Sequence, residues 1–322
     1  MKKVVVITTG GSIATKHGPM VGGAVPAVKG EGFLSMLPRN EVEVLFKSFS
    51  NLPGSHLSPA KMLEVSQLAG TILAAPDVDG VVVTHGTDTL EETAYMLDLT
   101  LQSPKPVAVT GAVRGPTVPV YDGMANLVSA IRVAMQPDVR GMGALVVFND
   151  QIFAASEVQQ MHSNAINCFD SPGYGPLGSI EGNRVWLQRK LLRRTSIACT
   201  QLEERVDLIR VTQGADDRQL RHAIQDGVAG IVLEVFGSGR VPPWWLPAIN
   251  DAIQQQITVV VVSRSLMGSL YDQYGYVGAY HDLERLGVIF ANGLDGIKAR
   301  IKLMVALGAA RKPEEVRAWF QG

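Results

Sequence analysis

Short runs of β-branched and aliphatic residues alternate along the first half of the chain with longer stretches in which apolar residues recur every three or four positions. Val4–Thr8, Val42–Phe46, Gly80–Thr84, Val107–Thr110 and Ala144–Phe148 carry no polar alternation and read as strands buried on both faces. Between them, Pro59–Ala75 places Met62, Val65, Leu68, Ala69 and Ile72 on one helical face, and Leu90–Leu101 and Gly123–Met135 follow the same rule. Strand-helix alternation of this kind predicts an α/β fold with a large, mostly parallel sheet.

From Asp150 the pattern breaks into short hairpin-like pieces, among them Tyr174–Gly178 and Ile180–Leu187 around Glu181-Gly182-Asn183. A polar, basic stretch from Gln188 to Glu204, with Arg189, Lys190, Arg193 and Arg194, reads as a solvated linker. A second, smaller α/β unit follows. Its strands are expected near Val206–Val211, Gly230–Val235 and Thr258–Val262, and its helices near Asp217–Asp226, Trp244–Gln254, Asp295–Leu307 and Pro313–Phe320. The expected organisation is a catalytic domain over 1–190, a linker over 191–205 and a carboxyl-terminal domain over 206–322.

Composition narrows the function classes. With 322 residues and 46% hydrophobic content the chain can bury sizeable cores. Its 29 basic and 30 acidic residues nearly cancel, which gives no electrostatic reason to expect nucleic acid or a membrane surface as partner. The two cysteines, Cys168 and Cys199, have neither metal-ligand nor redox-motif spacing, so reduced thiols and no metal are expected. The apolar run after Met1-Lys2-Lys3 stops at Gly10 without a cleavage pattern, and no segment is long enough to span a bilayer. A cytoplasmic location is the expectation.

In an open parallel sheet, ligands bind beyond the carboxyl ends of the strands. The tips there are Thr8–Ser12, Ser50–His56, Thr84–Thr89, Thr110–Arg114 and Asn149–Asp150, and they are rich in hydroxyls and glycine. Gly10-Gly11 lets the backbone bend sharply and uncovers amide N–H groups, which suits an oxyanion, although a structural turn explains such a pair equally well. Thr84-His85-Gly86-Thr87-Asp88-Thr89 is more specific. Helix capping by Asp88 or Thr89 accounts for part of it but leaves Thr87 unexplained. A hydroxyl beside a carboxylate, opposite another hydroxyl on a glycine turn, suits nucleophilic attack on a carbonyl with relayed protons.

These residues also carry a resemblance. Thr9-Gly10-Gly11-Ser12-Ile13-Ala14 and His85-Gly86-Thr87-Asp88-Thr89 resemble the two signatures of the bacterial L-asparaginase and glutaminase-asparaginase family. Glu91-Glu92-Thr93-Ala94-Tyr95, Thr110–Arg114, Asp122-Gly123 with Asn126-Leu127, Val147–Asp150 and Tyr174–Gly178 fit as well. The resemblance implies hydrolysis of a side-chain amide, by default that of L-asparagine, without cofactor, in a dimer or tetramer whose sites are completed by a neighbouring subunit. It places Ser12 as nucleophile and Thr87 with Asp88 as second hydroxyl and carboxylate partner. Ser55 would hold the substrate α-carboxylate, and the Ala112 carbonyl would meet the leaving amide. Amide N–H groups near Gly11 and Thr87 would face the oxyanion, and Gly86 is counted with Gly11 among the substrate-binding residues.

The sequence also departs from that family. Serine at position 12 keeps the hydroxyl of the family's threonine but loses the methyl that restricts χ1. The family's activating lysine falls on Gln160, which can orient a hydroxyl or water but is no base. His162 is a candidate replacement for that lysine, and Lys16 and His17 are candidates for the family's lid tyrosine, because Thr15–Ala27 contains none. The glutamine after the binding serine becomes His56. A neighbour-subunit asparagine becomes Arg240, and a glutamate falls near Tyr280. An arginine in place of ammonium acceptors points to an alternative substrate with an added acyl or carboxylate group, such as an N-substituted asparagine or a cyclic imide. A weakly catalytic binding protein and a racemase or lyase are the competing classes. Trp244-Trp245 is expected to pack on a subunit surface.

Overall fold

The computed structural model describes residues 1–11, 13, 42–117 and 119–321, and these divide into two compact units, Met1–Ser196 and Ile197–Gly322. In the first unit the strands are β1 (Lys2–Gly10), β2 (Val42–Leu52), β3 (Gly80–Thr84), β4 (Val107–Thr110), β5 (Ala144–Phe148), β6 (Gln151–Ala154), β7 (Gln159–Gln160), β8 (Phe169–Asp170), β9 (Gly178–Glu181) and β10 (Arg184–Leu187). Its helices are α1 (Pro59–Ala74), α2 (Leu90–Thr100) and α3 (Gly123–Ala134). Among the described residues one sheet has eight strands in the order β10-β9-β6-β5-β4-β3-β1-β2, and β7 and β8 form a separate ribbon. The β2-β1-β3-β4-β5 half is parallel, as the buried apolar runs predicted.

Alternation of side chains across the pleat builds two cores. Val4, Val6, Val82 and Ala108 face α3, where they meet Leu127, Ile131 and Ala134. Val5, Ile7, Val81, Val83 and Val109 face the other way, toward Val65 and Leu73 of α1 and Ala94 and Leu97 of α2. The order 2-1-3-4-5 reverses direction between β1 and β3, and the crevice at such a switch point is where a doubly wound sheet receives its ligand.

Asn149–Asp150 stand at the carboxyl end of β5 as expected, in a turn that the sequence pattern does not specify. These residues are the two central residues of the β5–β6 hairpin, with φ of 48° and 58°, the left-handed pair of a type I′ turn. They therefore turn the chain back and end the parallel half of the sheet. The basic stretch is not wholly solvated: Arg189 pairs with Glu157 at 2.6 Å, and Arg194 pairs at 2.8 Å with Asp98, whose side chain is 5% exposed. Lys190 and Arg193 do lie in solvent.

The second unit carries a four-stranded parallel sheet, β11 (Val206–Arg210), β12 (Gly230–Val235), β13 (Thr258–Ser263) and β14 (Ile289–Phe290). Its helices are α4 (Arg218–Gln225), α5 (Leu246–Gln254), α6 (Tyr280–Leu286), α7 (Gly296–Ala309) and α8 (Pro313–Gln321). Helix α6 and strand β14 are too short for a periodic signal in the sequence. Trp245 is 1% exposed within this unit's own core, which corrects its placement on a subunit surface, while Trp244 is 54% exposed. Both indole N–H groups donate to the carbonyl of Ala215, at 2.9 and 3.0 Å, so the pair anchors the loop before α4.

Candidate active site

Three glycine-bearing tips of the first unit meet backbone to backbone. Gly11 has φ of 80°, and a Cβ there would lie 2.5 Å from the Gly86 nitrogen; a Cβ on Gly86 would lie 3.0 Å from the Gly54 nitrogen. Any side chain at Gly11 would therefore meet backbone that cannot rotate away. The contact brings the turn after β1, the turn after β3 and the short 3₁₀ turn Gly54–His56 after β2 to one place at the β1/β3 switch point. Hydroxyls lace the strand ends together. Thr9 donates to the Thr84 carbonyl at 2.9 Å, Ser50 to the Thr9 carbonyl at 2.6 Å, and Thr110 to the Val147 carbonyl at 2.7 Å.

Of the residues expected at the site, Gly11, Ser55, His56, Gly86, Thr87 and Asp88 belong to these three tips, and Ala112 to the neighbouring tip after β4. Thr87 and Asp88 lie in a 3₁₀ turn, Thr87–Thr89, that runs into α2. Thr89 stands at the N-cap of α2 with Glu91 and Glu92 in its first turn, as the capping reading expects, but its side chain makes no capping hydrogen bond and its hydroxyl is buried without a partner among the described residues. Asp88, Ser55 and His56 are exposed, Thr87 is partly buried, and Ala112 is fully buried. Ser12 lies outside the described residues, as does the whole of Thr15–Ala27 with Lys16 and His17.

His85 holds two of these tips. Its Nδ1–H donates to the Gly86 carbonyl at 2.9 Å, which leaves Nε2 to accept the Thr93 hydroxyl of α2 at 2.9 Å. The ring is 0% exposed, and burial pushes its pKa down, so it is a neutral imidazole. The same ring lines Gly54, where an added Cβ would approach its Cε1 to 3.2 Å. His85 and Thr93 stand inside the motifs that the sequence displayed, but their bracing role depends on burial, which the motif does not encode.

A second brace crosses from α3. The Asn126 side chain donates to the Gly111 carbonyl and accepts from the Asn149 N–H, each at 3.0 Å, tying the ends of β4 and β5. Asp122, which precedes α3, accepts the N–H groups of Val113 and Arg114 at 3.1 and 2.9 Å. Tyr121 donates its hydroxyl to the Ile13 carbonyl at 2.8 Å.

Gln160 sits on β7, its N–H 3.4 Å from Glu91 Oε1 in the first turn of α2, with its amide directed at the His162 carbonyl. His162 does not supply the base it was considered for. Its Nδ1 accepts the N–H groups of Asn164 and Ala165, both at 3.0 Å, and is spent on a local turn. Arg240 belongs to the second unit, where it donates to the Tyr276 hydroxyl at 3.1 Å and lies 4.8 Å from the centre of the Tyr274 ring. Its Nε is buried without a partner among the described residues, beside a cavity of about 580 Å³ that Phe236, Pro242 and Val277 help to line. Tyr280 stacks on Phe290 at 3.9 Å and is a packing residue in this unit.

Residues 3–193 match the family model Asparaginase, N-terminal, and residues 205–320 match the Glutaminase/Asparaginase C-terminal domain. The chain belongs to the asparaginase family. Within it, the chain is 38% identical over 314 residues to an L-asparaginase of Bacillus licheniformis, covering 97% of each chain. A glutaminase-asparaginase of Pseudomonas fluorescens biotype A is 29% identical over 333 residues, covering 99% of this chain and 90% of that one. A crystal structure described as "Probable Cytoplasmic L-asparaginase from Campylobacter jejuni" aligns with a TM-score of 0.86 at 28% identity, over 100% of this chain and 99% of the other. The α/β architecture, with a large mostly parallel sheet and a smaller carboxyl-terminal α/β unit, is that of the asparaginase family.

Proposed function

We propose that this asparaginase-family amidohydrolase hydrolyses the side-chain amide of L-asparagine to L-aspartate and ammonia, with Ser12 as nucleophile and Thr87 and Asp88 as its second catalytic pair. The observation that carries the reading is the stacking of Gly11, Gly86 and Gly54, because it joins the tips bearing these residues at the switch of the sheet. Ser12 Oγ attacks the amide carbon, its hydroxyl proton passing to the departing nitrogen, and backbone N–H groups near Gly11 and Thr87 stabilise the oxyanion. Ammonia leaves past the Ala112 carbonyl. A water oriented near Thr87 then cleaves the acyl-enzyme, with Asp88 drawing charge and Gln160 orienting rather than deprotonating.

Ser55 binds the substrate α-carboxylate, and His56 lines the same side. Arg240 reaches a site from a neighbouring copy, so the working enzyme is a homo-oligomer with shared sites, without a cofactor. The names of the relatives favour asparagine over substituted amides and cyclic imides. A cytoplasmic location is in keeping with the neighbour in Campylobacter jejuni, and no helix among the described residues is long and apolar enough to cross a membrane.

The test is ammonia release by wild type and Ser12→Ala on L-asparagine, D-asparagine, L-glutamine, succinamate and N-acetylasparagine, with loss of the succinimide ring followed separately. Turnover of L-asparagine that disappears in Ser12→Ala is the expected result. Turnover confined to substrates without a free α-amine would replace asparagine as substrate, and full activity in Ser12→Ala would overturn the assignment of the nucleophile.

A further inference from the structure

The residues before α3 reach both sides of the proposed reaction centre. The Asp122 carboxylate accepts the Val113 N–H at 3.1 Å, and that N–H shares a peptide unit with the Ala112 carbonyl. A trans peptide is planar, with its N–H and C=O pointing in opposite directions. Fixing the Val113 N–H therefore fixes the line along which the Ala112 carbonyl points, away from Asp122. The Arg114 N–H at 2.9 Å and the Asn126 amide at 3.2 Å hold the carboxylate itself in place.

One residue earlier, Tyr121 donates to the Ile13 carbonyl at 2.8 Å, and Ile13 follows Ser12 in the chain. Burial, and then the neighbouring Asp122 charge, push the phenol pKa well above its ordinary value of about 10, so the hydroxyl stays protonated. It is a donor and not a base. Space for it is made by Gly123, where an added Cβ would overlap the Tyr121 hydroxyl. Ile13 is 1% exposed in the core that Tyr121 packs against, so the anchored carbonyl belongs to a residue whose side chain is packed in that core.

We infer that Tyr121 and Asp122 are a positioning pair for the amidohydrolase reaction, Tyr121 setting the backbone that follows the nucleophile and Asp122 aiming the carbonyl that receives the leaving amide. This rests on the assignment of Ser12 and Ala112 given above. The pair touches neither substrate nor reacting atoms. It acts by keeping two loops in register, and misplacement of a reacting group by about 1 Å can cost on the order of 100-fold in rate.

The test is steady-state kinetics on L-asparagine with Tyr121→Phe and Asp122→Asn, beside Ser12→Ala and the thermal unfolding midpoint of each protein. Tyr121→Phe keeps the ring and its packing, so the expected result is a kcat lowered about 10-fold, KM within about twofold and a midpoint within about 3 °C of wild type. Asp122→Asn lowers kcat in the same manner. If Asp122→Asn does not fold, Gly123→Ala, which displaces the Tyr121 hydroxyl from the other side, gives a loss of kcat with KM held. A Tyr121→Phe enzyme with kcat within twofold of wild type, beside an inactive Ser12→Ala, would overturn the positioning role and leave the site assignment standing. An active Ser12→Ala would overturn both, and a kcat loss that merely follows a loss of folded protein would reduce the pair to a structural role.

Discussion

The Thr93 hydroxyl meets Nε2 of His85 at 2.9 Å inside the protein and donates to it, because the Gly86 carbonyl, which can only accept, places the ring proton on Nδ1. With Nδ1–H committed to the Gly86 carbonyl, the imidazole braces the tip of β3 from below. Thr93→Val should leave Nε2 buried without a donor, at a cost of about 1–3 kcal/mol. Urea unfolding of the variant measures this, and Thr93→Ser, which returns the hydroxyl, should recover most of the loss.

The same ring sets a pH dependence of stability. Unfolded, an imidazole takes up a proton near pH 6.5; folded, burial keeps His85 neutral to lower pH. Between the folded value and about 6.5 the unfolded state binds more protons, so stability rises with pH in that window, and this contribution is flat above it. One such proton gives a slope of at most about 1.4 kcal/mol per pH unit. Urea unfolding between pH 5 and 7 should show a shallower acid loss for His85→Asn than for wild type. Parallel curves would refute it.

Gly11→Ala should abolish most activity. The substitution forces an alanine to φ of 80° and drives its Cβ to 2.5 Å from the Gly86 nitrogen, so either the turn after β1 or the turn after β3 must move. A fall in kcat/KM of about 100-fold or more is expected. Gly182→Ala is the control. It has φ of 59° with open space around it, so it carries the backbone strain alone, and it should keep wild-type kinetics at a cost of about 1 kcal/mol.

Arg194→Ala should destabilise the first unit by about 3 kcal/mol, because it removes the cation from a carboxylate that is 5% exposed. The Asp98 carboxylate also accepts the Ala144 N–H at 3.1 Å, so the damage is expected at the start of β5. Chemical denaturation reads the loss, while kcat measured well below the unfolding midpoint should stay unchanged.

The sequence announces the fold class through runs such as Val4–Thr8 and Gly80–Thr84, because a strand covered on both faces has no room for polar residues. It offers a candidate site through Thr87-Asp88, since hydroxyl and carboxylate stand together where a cap alone would need only one of them. It does not announce the reversal between β1 and β3, which depends on pairing between distant segments. Nor does it announce the hairpin at Asn149–Asp150, which shows only in the positive φ of both residues and the pairing of Phe148 with Gln151. Arg194 looks like any other linker arginine until Asp98, far away in the chain, is seen to need it. In the same way Tyr121 gains its role only once its ring reaches Ile13.

Where the turns after β1, β2 and β3 touch, glycine faces glycine and no side chain separates the loops. Exchanging one of these loops for a longer or bulkier relative would therefore shift the other two with it. Attempts to broaden or redirect the choice of amide are better spent on exposed residues of these tips, such as Ser55 and His56, than on the loop backbones. Those positions can vary one at a time, whereas the turns must be inherited as a set.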